Sequence, residues 1–219
     1  MPGTDEALKA LTALRHDVHE AALAHVPFDG WQDRILSAAA GDLGIEEMEA
    51  ERAFPGGAME LLEFHLADAD QRMIRALEGA GLANMRIRER IAFAIRTRLE
   101  QNAPHKEAIR RAVAVLSLPQ NAPLATRSLY NTCHAIWRAA GDTATDFNFY
   151  TKRMILAGVY SSTLLVWLND ESEGHAQSWA FLDRRIENVM QFEKAKGRLR
   201  SLAGRLGDFG KLCRRPRHL

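Results

Sequence analysis

The chain has 219 residues, 47% hydrophobic and 26% charged, with a formal net charge of +1. That balance describes an ordinary soluble globular chain, large enough for one well-packed core and short of a two-domain count. Its two cysteines, Cys133 and Cys213, stand far apart with no CxxC partner, which indicates neither a disulfide framework nor a thiolate zinc site and fits a reducing cytoplasm.

The N-terminal stretch "MPGTDEALKALTALRHD" lacks the apolar centre of a signal peptide and carries acids that organellar transit peptides avoid, so a mature, unexported chain is expected. Thr4 is placed to cap a first helix whose Leu8, Leu11, Leu14, Val18 and Ala22 recur on one face, with Pro27 as its stop. Asp29 caps a second helix, from about Trp31 to Gly41 or Gly44. A short acidic helix around Glu46 to Arg52 precedes the turn signal "FPGG", and a longer helix then runs to about Gly79. Ile87, Ile91, Ile95 and Leu99 stand four apart, the repeat of a single helix face. "NAP" and "LPQNAP" punctuate helices near His105–Leu116 and Pro123–Ala139. Asp146 caps the next helix, and a last one from about Gln177 to Lys196 carries Trp179, Leu182, Ile186 and Val189. No run alternates like a strand, so the expected fold class is all-α.

From Met154 to Leu168 the chain is almost wholly apolar. Lys152 and Arg153 close one end, and Asn169, Asp170 and Glu171 close the other. The 15 residues between them fall short of the roughly 20 that cross a bilayer, so a buried helix is expected.

Charge divides the chain. Between Asp29 and Asp70 eleven acids face only Arg34 and Arg52, a local net of −9. The helix order over this stretch resembles the three-helix DNA-binding head of TetR-type regulators, with the later long helices as a ligand-binding body. A head so acidic is repelled by a phosphate backbone that Lys and Arg would have to neutralise. A degenerate helix-turn-helix head without nucleic-acid binding is therefore expected, and a TetR-like regulator with a hydrophobic ligand is the alternative reading.

The opposite charge gathers from Asp183 to Leu219, with eleven bases against four acids, a net of +7. On a helical wheel Leu199, Leu202, Ala203, Leu206 and Phe209 share one face, flanked by Arg198 and Arg205. This is the pattern of an amphipathic helix at an anionic membrane surface, and it divides the chain into a helical domain over 1–196 and a basic membrane-binding segment over 197–219.

Catalytic constellations are absent. "GAGLAN" at Gly79 is an incomplete GxGxxG with no preceding strand, and neither GxxxxGK[ST] nor GxSxG occurs. No histidine has a glutamate three residues before it, as a di-iron bundle requires. His16 and His19 are read as exposed helix residues, His65 as a core or turn histidine, and no metal or cofactor is expected. The chain reads as a non-enzyme.

"AGDTATDFNFYTKRMILAGVYSSTLLVWLNDES", followed by "FLDRRIENVMQFEKAK", resembles the C-terminal signature of the Coq-nine family of ubiquinone biosynthesis proteins. "HVPFDGW", "FPGGAMELLEFH" and "LSLPQNAPLATRSLYNTCHAIW" fit the same family, and the resemblance spans about residues 25–196. It implies a TetR-like fold that has given up DNA for lipid. Such a protein binds isoprenoid quinone intermediates and presents them to the membrane-associated demethoxyubiquinone hydroxylase as an accessory protein. By the same resemblance Phe149 and Tyr150, with Lys152 and Arg153 nearby, form a partner-binding patch. Met154, Ile155, Gly158, Tyr160, Leu164 and Trp167 are the lipid-binding candidates. Leu199, Leu202, Leu206, Phe209, Arg198 and Arg205 are the membrane-binding ones. A homodimer is expected, located in the cytoplasm and peripheral on the inner face of the bacterial cytoplasmic membrane.

Overall fold

A computed structural model describes residues 2–142 and 147–191. Among them the chain is all-α, and its helices are α1 (Pro2–Asp29), α2 (Arg34–Leu43), α3 (Glu47–Ala53), α4 (Gly57–Glu78), α5 (Ile87–Gln101), α6 (Lys106–Leu116), α7 (Ala122–Ala139), α8 (Phe147–Leu168) and α9 (176–191). No helix among the described residues is long and apolar enough to cross a membrane. The proposed cap Asp146 and the segment 197–219 lie outside the described residues.

Two hydrophobic clusters organise the helices. The first belongs to the head and joins Val18, Leu23 and Val26 of α1, Ile35 and Leu36 of α2, Phe54 and the start of α4. Pro27, expected to end α1, lies inside it near its C-terminal end. There the missing N–H removes one terminal bond only, and the Pro27 carbonyl is taken up by Arg111 at 3.0 Å. Leu8 and Leu11 are exposed, so the predicted apolar face packs only from its middle onward.

The capping of α2 differs from expectation, since Asp33 rather than Asp29 stands at its N-cap position. Asp29 pairs with Arg34 at 3.1 Å, while Asp33 sends its carboxylate to the backbone N–H of Ala58 at 2.8 Å and so caps the start of α4. Gly57 has φ +65°, and a Cβ there would lie 2.3 Å from that carboxylate oxygen. The glycine in "FPGG" is thus required both by its backbone and by the approaching cap.

The second cluster is the body, built from Met73 and Leu77 of α4, Ile91, Ile95 and Leu99 of α5, Ile136 of α7, Leu156, Val159 and Trp167 of α8, and Trp179 and Leu182 of α9. α4 belongs to both clusters and is the rod that joins them. Trp31 adds a tie by donating to the Ala108 carbonyl of α6 at 3.1 Å. The end of α8 is held by Asp170, whose two oxygens accept from the backbone N–H and hydroxyl of Ser172 and of Ser178 at 2.5–2.8 Å. Burial opposes that charge, but the four donors outweigh it and hold the carboxyl well below the usual range.

One histidine departs from expectation. His19 is buried rather than exposed, because it sits one residue from Val18 on the inward face of α1 and meets the fully buried His65, Nε2 to Nδ1, at 2.9 Å. Burial lowers the His19 pKa to about 4 and that of His65 well below its ordinary value. Among the described residues no cluster of three or more His, Cys, Asp or Glu could hold a metal ion.

Candidate functional site

Five helices leave a cavity of about 280 Å³ between them, open on one side. Leu66 of α4, Ile109, Val113 and Leu116 of α6, Leu129 of α7, and Leu164 and Leu165 of α8 make its lining predominantly apolar. Small residues, Ala112, Ala125 and Ser161, stand where bulkier ones would fill the space. A recess of this size matches the lower end of ligand pockets, about 300 Å³.

The floor is polar. Arg98 of α5 donates through Nε to Asp70 of α4 at 2.6 Å, through Nη1 to the Tyr160 phenol of α8 at 2.5 Å, and through Nη2 to the Leu66 carbonyl at 3.3 Å. Thr132 of α7 donates to the Asp70 carboxylate at 3.0 and 3.1 Å. Burial works against the Arg98 charge, but the facing Tyr160 and Asp70 prevail and hold it above its ordinary value, and burial raises the Tyr160 phenol. Breaking such a buried pair by removing one partner costs about 3–5 kcal/mol, although the intact pair adds little net stability. The nearby Cys133 thiol is pushed up to about 12 by burial and then by Asp70, so it carries no thiolate chemistry at neutral pH.

A second feature lies at the other end of α8. Phe149 is half-buried, with the Arg153 guanidinium 3.4 Å from its ring centroid and the Tyr150 ring edge-on at 5.1 Å. Tyr150 is 62% exposed and Met154, one turn on, 76%. Tyr130 and His134 of α7 continue the row, with centroids 6.1 Å apart and His134 5.9 Å from Phe149. Lys152 pairs with Asp142 at 2.7 Å and lies over Trp137.

The predicted residues therefore divide. Tyr160 and Leu164 line the cavity, whereas Trp167 is fully buried in the body core and Ile155 is half-buried away from the cavity. Gly158 is exposed, and Met154 joins the outer strip with Tyr150. Arg153, expected on the partner-binding surface, is only 2% exposed. Its guanidinium turns inward to the Phe149 carbonyl at 2.9 Å, His134 Nδ1 at 3.2 Å and Asp142 at 3.4 Å, where it supports the aromatic ring. Asp70, Arg98, Thr132, Tyr130 and His134 are the residues that sequence reasoning passed over. A signal existed for Arg98, which falls at i+7 from Ile91 and i+3 from Ile95, an inward position occupied by a charge.

Comparison with known proteins places this geometry. A family model described as COQ9 matches residues 122–193, from the first residue of α7 through α8 and α9. The mitochondrial ubiquinone biosynthesis protein COQ9 of Rattus norvegicus is 32% identical over 196 residues, covering 85% of this chain and 62% of the relative. That of Homo sapiens is 32% identical over 193 residues, covering 85% and 60%. This chain thus spans about three-fifths of the length of these relatives. The crystal structure of a TetR transcriptional regulator from Nitrosomonas europaea superposes with a TM-score of 0.69 at 22% identity, covering 82% of this chain and 99% of that one. The fold is TetR-like, as the helix order implies. The expected bacterial cytoplasmic location is overturned, because the relatives are named as mitochondrial proteins. A cysteine content without a disulfide pattern fits any reducing compartment and does not distinguish one from another.

Proposed function

We propose that this chain, 32% identical to COQ9 relatives over 85% of its length and matched by the COQ9 family model over residues 122–193, serves ubiquinone biosynthesis as a lipid-binding accessory protein of that family rather than as an enzyme. The observation that carries the reading is the apolar cavity between α4 and α8, two of whose walls, α7 and α8, lie within the family match. An isoprenoid quinone intermediate needs a dry recess for part of its length and a way out for the rest. A cavity of about 280 Å³ with one open side supplies both.

The aromatic row on α7 and α8 fits the dock for the demethoxyubiquinone hydroxylase that the family resemblance implies. Exposed aromatics dominate binding energy at interfaces. The dock and the cavity are not adjacent: Tyr160 is ten residues beyond Tyr150, or about 15 Å along the helix axis. They are joined by the outer strip of α8, where Tyr150, Met154, Gly158 and Leu165 are all exposed and Leu165 stands at the cavity. The basic segment 197–219 remains the candidate for contact with an anionic membrane surface, and a homodimer remains part of the proposal.

Mass spectrometry of an organic extract of the purified protein tests this reading. Prenylated phenols or quinones are expected, and their level should fall when Ala125→Phe narrows the cavity. An extract free of isoprenoid lipid from cells that make ubiquinone overturns it.

A further inference from the structure

Tyr160 is held in an unusual way for a residue that lines an apolar cavity. Its side chain is only 5% exposed, and its oxygen accepts a hydrogen from Arg98 at 2.5 Å. An arginine donates and never accepts, so this contact fixes the phenol oxygen as the acceptor. The phenol's own hydrogen meets no acceptor among the described residues. Burying a donor without a partner costs about 1–3 kcal/mol, and the cavity is the space from which a partner could come.

We propose that Tyr160, positioned by Arg98, is the hydrogen-bond donor that recognises a carbonyl oxygen on the head of a neutral lipid in this cavity. The inference rests on the reading of the cavity as a lipid site and adds what the site selects. Neutrality follows from the charges on the floor. Arg98 is already matched by Asp70, and Asp70 is further satisfied by Thr132, so no cation is left over for a phosphate or carboxylate. A hydrocarbon chain alone fills the apolar walls but leaves the phenol hydrogen unmet. A quinone or an acyl ester supplies the missing acceptor, and the two sources share this chemistry.

Binding of three probes to the full chain separates the possibilities: a decyl-substituted benzoquinone, a short-chain diacylglycerol and decylbenzene, which has no acceptor oxygen. Wild-type protein should hold at least one carbonyl probe about tenfold more tightly than decylbenzene, the usual worth of one buried hydrogen bond. Tyr160→Phe should erase that preference while leaving decylbenzene affinity within about twofold. The probe that loses affinity identifies the source. Equal affinity of the wild type for all three probes overturns the proposal without needing the variant to fold. A carbonyl preference that survives in Tyr160→Phe overturns it as well, while the lipid reading stands. If the wild type binds none of the probes, the lipid reading fails and this proposal falls with it.

Discussion

His19 and His65 show how two weakly basic side chains become a stability liability in acid. Their rings meet at 2.9 Å in the head core, and burial disfavours a charge on either. Above pH 6.5 both are neutral in the folded and unfolded chain, and they contribute no pH dependence. Between about 6.5 and 4 the unfolded chain binds protons that folded His19 refuses, and His65 refuses them further down, so stability falls as pH falls. Each fully titrating histidine contributes about 1.4 kcal/mol per pH unit. Thermal melts from pH 7 to pH 4 should show this loss, and His19→Leu combined with His65→Leu should flatten it. A wild-type melting temperature unchanged across that range would contradict the burial of the pair.

At the scale of an element, α8 carries two unrelated tasks on opposite faces. Trp167 is fully buried, and Trp167→Ala should cost about 3–5 kcal/mol in denaturant unfolding. Tyr150 is largely exposed, and Tyr150→Ala should stay within about 0.5 kcal/mol of wild type. The same Tyr150 variant should weaken hydroxylase capture by at least about 1–2 kcal/mol if it anchors the dock. Retained capture together with a large loss of stability would place Tyr150 in the core instead.

The helices themselves were largely legible, because Ile91, Ile95 and Leu99, or Trp179 and Leu182, recur with helical spacing and turn out to be core. The faces of α8 were not. It is apolar nearly all round, so periodicity could not separate Trp167 from Met154. The cavity floor was hidden for another reason. Asp70, Arg98, Thr132 and Tyr160 come from four helices and pair across separations of 28 and 62 residues, which only the tertiary packing reveals.

For the whole molecule, the distribution of charge sets the expectation for duplex DNA. α3 is the short acidic helix of the head, and its Glu47, Glu49 and Glu51 are exposed beside a single Arg52. A mobility-shift titration should therefore show no salt-sensitive binding to duplex DNA at physiological ionic strength. Binding to a discrete operator at submicromolar concentration would favour the regulator reading.

α4 gives the molecule a mechanical connection between its two cores. Ala58, Leu61 and Leu62 are embedded in the head, Met73 and Leu77 in the body, and Leu66 and Asp70 between them hold the Arg98 that underlies the cavity. A displacement of Arg98 thus acts on a rod whose far half is the head. On the proposed reading of the cavity as a lipid site, this rod makes the packing of the head and the shape of the cavity floor two ends of one helix.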